Sequence, residues 1–90
     1  MTILKYILEI VHMQALTISA GSKILMVGLD PNGKPALWLE TPREQHKVVQ
    51  IQIYIVGTGQ DVPQGTTHVG SFVQHQYVWH VYQCYKECGD

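Results

Sequence analysis

Apolar and polar side chains alternate in the first part of the chain. Between residues 3 and 11, the apolar positions of one face are Leu4, Tyr6, Leu8 and Ile10. Successive side chains of a β-strand point to opposite faces of its sheet, so this period of two predicts a half-buried strand. A second, shorter strand is predicted around Leu16 and Ile18, and the small residues at 20–22 are expected to turn the chain.

The clearest local signal in the sequence is a β-hairpin. Residues 23–29 are nearly all apolar and predict a central strand, with Gly28 as a candidate β-bulge. Residues 30–34 read Asp-Pro-Asn-Gly-Lys. Proline presets φ, and Asn-Gly accepts positive φ at low steric cost, so this segment predicts a tight turn. The turn should join residues 23–29 to a second strand over 35–40.

The second half of the chain continues the strand pattern. A long strand is predicted over 47–56. Its isoleucines and valines are expected to form a buried face, and Gln50, Gln52 and Tyr54 a solvent-exposed face. The irregular stretch 57–65 precedes two further strands, near 68–72 and 77–84. No segment has the three-to-four-residue apolar spacing of a helix. The pattern predicts an all-β fold, a small antiparallel sandwich or partly closed barrel of about six or seven short strands.

Length and composition indicate that the predicted strands form one folded domain. The chain has 90 residues, of which 46% are hydrophobic and 14% charged, against roughly 25% charged in an average soluble domain. This balance excludes intrinsic disorder. We predict a single β domain over 1–90, with 83–90 as a frayed C-terminal tail. A chain of this size buries only about 60–65% of its extended surface, which favours a homo-oligomer.

Charge and cysteine content narrow the class of protein. The net charge is −1 and the six basic residues are scattered singly, which argues against nucleic acid as a partner. No apolar run approaches the roughly 20 residues of a membrane span, so a cytoplasmic protein without a membrane partner is expected. Cys84 and Cys88 are expected to be reduced thiols. The five histidines match no zinc pattern, so neither a metal site nor a cofactor is predicted.

Two short segments carry candidate binding chemistry. Gly57-Thr58-Gly59 follows a strand, and glycine-rich loops can bring backbone N–H groups close to a phosphate. The alternative interpretation is a flexible turn. Trp79 and His80 lie in a strand with aromatic side chains on both faces, and the alternative is ordinary core packing. The predicted ligand-binding residues are Gly57, Thr58, Gly59, His68, Trp79, His80, Arg43 and Trp38, chosen for base stacking and for contact with phosphates.

Catalytic groups are sparse in this sequence. The seven acidic residues mostly flank turns or lie at the C-terminus, so no positioned carboxylate pair is predicted. Ser71 has His68 nearby in sequence, but no acid with an orienting role. The protein is therefore not expected to be an enzyme.

The order of several short motifs resembles a family of small proteins of uncharacterised function encoded by bacteriophages. The motifs are Tyr6-x-Leu8-Glu9-Ile10, Gly21-Ser22-Lys23-Ile24-Leu25-x-Val27, Gly33-x-Pro35-x-Leu37-Trp38, Gly57-Thr58-Gly59, His68-Val69-Gly70-Ser71-Phe72 and Val78-Trp79-His80-Val81. The resemblance covers nearly the whole chain and implies a phage origin, with an accessory role in the cytoplasm of an infected bacterial host.

Three functions stay open at this point, of which the third is a structural accessory such as a small virion or replication-associated module. The first is a counter-defence protein that sequesters a cyclic nucleotide or an NAD-derived small molecule used as an immune signal. The second is a stoichiometric inhibitor that binds a host defence protein, for which the high apolar content and few charges suit an aromatic-rich interface. The sequence contains a glycine loop and aromatic residues without catalytic groups, which places sequestration first.

Overall fold

The chain folds into seven β-strands in a computed structural model, which describes residues 1–44 and 46–84. The strands are β1 (Thr2–Ile7), β2 (Met13–Ser19), β3 (Lys23–Leu29), β4 (Pro35–Thr41), β5 (Val48–Gly57), β6 (Thr67–Gln74) and β7 (Tyr77–Cys84). No helix long and apolar enough to cross a membrane is found within these ranges. The predicted strand pattern is thus confirmed.

The strands form two antiparallel sheets that pack face to face. One sheet has the order β1-β4-β3 and the other has the order β2-β5-β7-β6. The sheets are not closed into a barrel, so the sandwich is the correct one of the two predicted architectures. Strands β3 and β6 lie against each other at one margin of the sandwich.

The core lies between the two sheets and is made of inward-facing aliphatic side chains. Its largest fully buried members are Leu37, Leu39, Ile51, Ile53 and Val81. The predicted buried face of β5 is therefore confirmed at its isoleucines, whereas Val49 near the start of the strand is 37% exposed. The prediction of a solvent-exposed face is wrong towards the end of β5, where Tyr54 is only 2% exposed. Because β5 is a central strand between β2 and β7, side chains of both neighbours flank Tyr54, and the His12 ring packs against it edge-on at 5.5 Å.

The β3–β4 hairpin forms as predicted, and Asp30 organises its turn. The Asp30 carboxylate accepts hydrogen bonds from the backbone N–H groups of Asn32 and Lys34, both at 2.9 Å. It also forms an ion pair with Lys5 Nζ of β1 at 3.0 Å. The Lys34 N–H above all, and then the Lys5 ammonium, lower the pKa of Asp30 below its ordinary value of 3.8. Asp30 thereby joins β1 to the hairpin.

The β-bulges lie elsewhere than predicted. Gly28 pairs regularly with Ala36, whereas the register of β3 shifts between Ile24 and Met26. A second shift in β6 lies between His68 and Gly70. The prediction of a β-bulge at Gly28 is wrong, because the extra residue of a bulge need not be a glycine. The glycine that the packing requires is Gly70, where a Cβ atom would lie 3.0 Å from the Val27 Cβ of β3.

The end of β1 also differs from the prediction. Strand β1 ends at Ile7, and the Gln14 side chain exchanges two hydrogen bonds with the Glu9 backbone in the following turn. At the other end of the chain, β7 reaches Cys84 as the strand pattern predicts, so residues 83 and 84, which were also assigned to the C-terminal tail, belong to the sheet.

Cys84 differs from its expected chemistry as well. This residue is buried and disulfide-bonded, so the expectation of a reduced thiol is wrong for it. Residues 85–90, with Cys88 among them, lie outside the described residues.

Candidate functional site

A line of polar side chains crosses the outer face of the four-stranded sheet. Ser71 of β6 stands directly opposite His80 of β7 in the register. His68 shares this face with Ser71, although it lies three positions earlier in the sequence. In a regular strand their side chains would point to opposite faces, and the extra residue of the β6 bulge brings them to the same one.

The line consists of four hydrogen-bonded side chains, which we call the polar row: Thr58, His80, Ser71 and His68. Ser71 Oγ lies 2.8 Å from His80 Nδ1 and 3.0 Å from His68 Nε2. The other ring nitrogen of His80, Nε2, lies 3.0 Å from Thr58 Oγ1. The polar row therefore runs without interruption from the end of β5 to the start of β6.

The protons of the polar row cannot be placed independently of one another. The Ser71 hydroxyl can donate only one hydrogen bond, so it donates to one imidazole at most and accepts from the other when both bonds form. If it accepts from His80 Nδ1, a neutral His80 accepts from Thr58 at Nε2. If it donates to Nδ1, His80 donates from Nε2 to Thr58. Both patterns satisfy the same distances, so a bound group at either end can select one of them.

A groove of about 460 Å³ lies beside the polar row, beyond the end of β5. We call it the end groove, and its lining residues are Gly57, Thr58, Gln60, Gln76, Tyr77, Val78 and Trp79. The register explains why it is open. Gly57, the last residue of β5, pairs with Trp79, so Tyr77 and Val78 extend past the end of β5 and pair only with β6. Thr58 belongs to both the end groove and the polar row.

The turn after β5 gives the end groove one of its walls. The Gly57 N–H donates to Gln60 Oε1 at 2.6 Å, and the Gln60 N–H donates to the Gly57 carbonyl at 3.0 Å. A side chain at Gly57 would meet the Trp79 ring at 3.3 Å. Gly59 has φ +96°, a backbone conformation that favours glycine. Gly59 thus shapes the turn and does not line the groove.

Two aromatic side chains form the opposite wall of the end groove. The rings of Tyr77 and Trp79 lie 6.0 Å apart and are tilted by 34°. Trp79 is half-buried and packs against the core, while Tyr77 is 58% exposed. A smaller cavity of about 210 Å³ shares Gln60 and Trp79 with the end groove and reaches the β1–β2 turn. Tyr77 is therefore the accessible aromatic surface and Trp79 its fixed support.

The structure brings together most of the predicted binding residues. Gly57, Thr58 and Trp79 line the end groove, Gly59 shapes the adjoining turn, and the polar row adds the two histidines at 68 and 80.

Trp38 and Arg43 are the predicted residues that lie apart from this group. On β4, the neighbouring Leu37 and Leu39 face the core, so Trp38 points away from the four-stranded sheet. Arg43 is in the β4–β5 connection, at the start of β5, whereas the end groove is at its finish. Ten residues of β5 separate these two places by roughly 30 Å at 3.3 Å per residue.

Sequence reasoning missed the central member of the polar row and most of the end groove. The sequence indicates Ser71 only as a possible nucleophile beside His68, because its hydrogen bond to His80 depends on strand pairing. No local pattern marks Gln60, Gln76 or Tyr77 as binding residues. A signal for Tyr77 would be its place at the start of β7, which extends past the end of β5. This overhang depends on the register between the two strands, so the sequence alone does not show it.

The side chains of this site can form hydrogen bonds and stacking contacts with a bound molecule. Ser71, His80 and Thr58 form an ordered line, yet the third position holds a hydroxyl where a catalytic triad holds a carboxylate. A hydroxyl cannot stabilise an imidazolium as a carboxylate does. The polar row can instead present N–H and O–H donors to a bound acceptor.

Comparison with known proteins identifies a family. No curated protein and no solved structure matches the chain. A family model matches residues 1–88 of the 90, which is nearly the entire chain. The protein therefore belongs to the family described as a domain of unknown function, DUF7352.

Proposed function

We propose that this protein binds and sequesters a nucleotide-derived second messenger, a cyclic nucleotide or an NAD-derived small molecule, without catalysis. The observation that carries the proposal is the junction at Thr58 of the aromatic end groove and the polar row. A nucleotide has the same two parts, a flat base and a polar phosphate, next to each other. The site offers a matching surface for each part.

The base stacks on Tyr77 in this proposal. Its ring is largely exposed, and Trp79 beneath it is fixed by core packing. Stacking of a base on an aromatic side chain is worth roughly 1–3 kcal/mol by alanine substitution. Gln60 and Gln76 line the same groove with amide groups that can bond to the edge of a base.

The phosphate binds to the polar row. His80, Ser71 and Thr58 can each donate a hydrogen bond to a phosphate oxygen. The phosphate site of this proposal is therefore built from hydrogen-bond donors on neighbouring strands.

The biological setting of the proposal is counter-defence by a bacteriophage in the cytoplasm of its bacterial host. The support is the motif resemblance described above. The absence of catalysis is supported by the hydroxyl of Thr58 in the place where a triad would hold a carboxylate. A protein that only holds an immune signal must be present in stoichiometric amounts.

The experiment that tests this proposal is a thermal-shift screen with cyclic dinucleotides, cyclic trinucleotides and cyclic ADP-ribose isomers. A ligand at about 100 times its dissociation constant adds roughly 2.7 kcal/mol of stability, a shift of many degrees for a domain of this size. For a ligand that shifts the melting temperature, Tyr77→Ala should weaken binding about 5–150-fold, which corresponds to the stacking energy.

Val73→Ala is the matched control for that variant. Val73 is 59% exposed on β6 and does not line the end groove, so its truncation should leave the affinity unchanged. A panel without any thermal shift would count against sequestration. An affinity unaffected by Tyr77→Ala would remove the end groove from the proposal.

A second candidate function, inhibition of a host defence protein, is favoured by the outer face of the three-stranded sheet. Its exposed apolar side chains include Ile3 (61%), Ile7 (48%) and Met26 (50%). The half-buried Trp38 lies between Met26 and Lys5 on the neighbouring strands. An exposed apolar cluster with a central tryptophan suits a protein interface. Capture of a host defence protein by the wild type, and its loss in Ile7→Lys, would support this function over sequestration.

A further inference from the structure

A second groove lies at the other end of the polar row, where the starts of β3 and β6 meet the end of β7. It has a volume of about 320 Å³, and we call it the margin groove. Its lining residues are Ser22, Lys23, Ile24, His68, Val69 and Gln83. His68 belongs to both the margin groove and the polar row, just as Thr58 belongs to both the end groove and the polar row. The polar row therefore connects two grooves.

Gln83 is the residue that indicates a ligand in the margin groove. Its Oε1 atom is buried and has no hydrogen-bond partner among the described residues. Gln83 follows the core residue Val81 by two positions, so its side chain projects from the inner face of the four-stranded sheet. An acceptor that is removed from water and left unpaired costs free energy, and an N–H group of a ligand would remove that cost.

The margin groove also has apolar walls that suit the face of a base. Ile24 and Val69 are partly buried and pack against the core, so their side chains are held in place. Proteins that bind a single base in a pocket read its edge by hydrogen bonds and hold its faces between aromatic or apolar side chains. The margin groove offers an amide for the edge and two aliphatic side chains for a face.

The position of β6 explains how a ligand can reach both the polar row and the margin groove. β6 is the last strand of its sheet, so a groove beside it can be lined from both faces of that sheet. Gln83 contributes from the inner face, and the β6 bulge directs His68 to the outer face. A ligand on the polar row can therefore continue around this edge into the margin groove.

Three hydrogen bonds and one imidazole ring separate the two grooves. The bonds measure 3.0 Å from Thr58 to His80, 2.8 Å from His80 to Ser71 and 3.0 Å from Ser71 to His68. A mononucleotide has one base and can fill only one of the two grooves. We propose that the ligand is a cyclic dinucleotide, whose second base binds in the margin groove against Gln83. This inference rests on the proposed function and selects one class among the nucleotide-derived messengers.

Each part of a cyclic dinucleotide has its own surface in this arrangement. One base stacks on Tyr77 in the end groove, and the two phosphates that link the nucleotides lie along the polar row. The second base packs against Ile24 and Val69 and donates an N–H to Gln83 Oε1. The exocyclic amines of adenine and guanine are donors of this kind. Lys23 is exposed at the rim of the margin groove and adds one positive charge near the phosphates.

Calorimetric titration of the full chain tests this inference. The probes are cyclic di-AMP, cyclic di-GMP and cyclic GMP–AMP, compared with the mononucleotides AMP and GMP. At least one cyclic dinucleotide should bind about 100-fold tighter than the mononucleotides, because the link between the two bases makes binding of the second base intramolecular. A mononucleotide that binds as tightly as every cyclic dinucleotide would overturn the inference and leave sequestration of a nucleotide standing.

Gln83→Leu tests the margin groove itself. Leucine has a similar size and no polar atom, so the variant loses the hydrogen bond to the base together with the unpaired buried acceptor. It should bind the cyclic dinucleotide roughly 3–10-fold more weakly and the mononucleotides like the wild type. Gln50→Leu is the matched control, because Gln50 is exposed on β5 and lines neither groove, and both affinities should stay unchanged. An undiminished affinity of Gln83→Leu for the cyclic dinucleotide would contradict the second base site.

NMR of the Gln83 side-chain amide gives a readout in the wild type that does not depend on a substitution. The cyclic dinucleotide should move this signal, and AMP or GMP should leave it in place. A cyclic dinucleotide that binds without moving it would count against the inference, as would a ligand panel in which only cyclic ADP-ribose isomers or cyclic trinucleotides bind. Either result leaves the proposed function intact, whereas no binding by any nucleotide-derived ligand would end both.

Discussion

At the scale of single residues, Asp30 shows how one side chain can serve a turn and a sheet together. One of its carboxylate oxygens accepts the hydrogen bonds of the hairpin turn, and the other forms the ion pair with Lys5. The charged form is the one that these contacts favour, which is why the pKa of Asp30 is lowered in the folded protein. Its contribution to stability must therefore depend on pH.

Asp30→Asn is expected to destabilise the protein at neutral pH and much less in acid. A carboxyl whose pKa is lowered by folding stabilises the native state above its unfolded pKa. That stabilisation is lost as the pH falls from about 3.8 through the lower folded value. Urea unfolding of the wild type and the variant should therefore show a stability difference at pH 7 that shrinks below pH 3.8.

The matched control for this prediction is Asp61→Asn. Asp61 is exposed in the connection between β5 and β6, so its change should leave stability nearly constant at both pH values. A difference between the wild type and Asp30→Asn that stayed the same in acid would mean that the carboxylate charge does not matter to the turn.

At the scale of elements, the contact between β3 and β6 determines how closely the two sheets approach. Gly70 follows the bulge of β6 and faces Val27 of β3. The same bulge moves His68 and Ser71 to the outer face. One irregularity in one strand therefore permits both the close packing inside the sandwich and the polar row outside it.

Gly70→Ala is expected to destabilise the sandwich by roughly 1–2 kcal/mol. The new methyl group would lie 3.0 Å from Val27 Cβ and 3.3 Å from its Cγ2, and neither atom belongs to a long flexible side chain. Overpacking of this kind usually costs 1–3 kcal/mol, and the lower flexibility of alanine in the unfolded chain offsets part of it. Chemical denaturation gives the free energy of unfolding.

Gly28→Ala is the control for Gly70→Ala. Gly28 lies in β3, one residue after Val27, and a Cβ there would make an ordinary contact with Met26 at 3.5 Å. This variant should be neutral or slightly stabilised. Equal effects of the two substitutions would show that the β3–β6 approach does not limit the packing.

At the scale of the whole molecule, the two outer faces of the sandwich differ in character. The four-stranded sheet presents the polar row, and the three-stranded sheet presents several exposed apolar side chains on the same face as Trp38 and Lys5. The end groove is lined by residues of one chain. A second copy is therefore expected on the apolar face and not across the groove.

Light scattering tests this expected self-association. The wild type should form a dimer at high concentration, and Ile7→Lys should be monomeric because a charge is placed within the apolar face. Val73→Lys, on the other sheet, is the control and should still dimerise. A monomeric wild type at every concentration would rule out the homo-oligomer.

The local structure of this protein follows from the order of its residues alone. Alternating side chains predict the strands, and the segment at residues 30–34 predicts the hairpin, because period and turn chemistry are local properties of a chain. The sequence also indicates a turn at residues 57–59 and the candidate binding residues Trp79 and His80. These features need no knowledge of which strands become neighbours.

The grouping of the candidate residues into one site depends on the tertiary fold. Pairing of β6 with β7 placed Ser71 between the two histidines, and the early end of β5 opened the groove at Tyr77. The same topology left Trp38 on the opposite sheet and Arg43 at the far end of β5. Register, bulge position and relative strand length arise from contacts between residues distant in sequence, so no local pattern contains them.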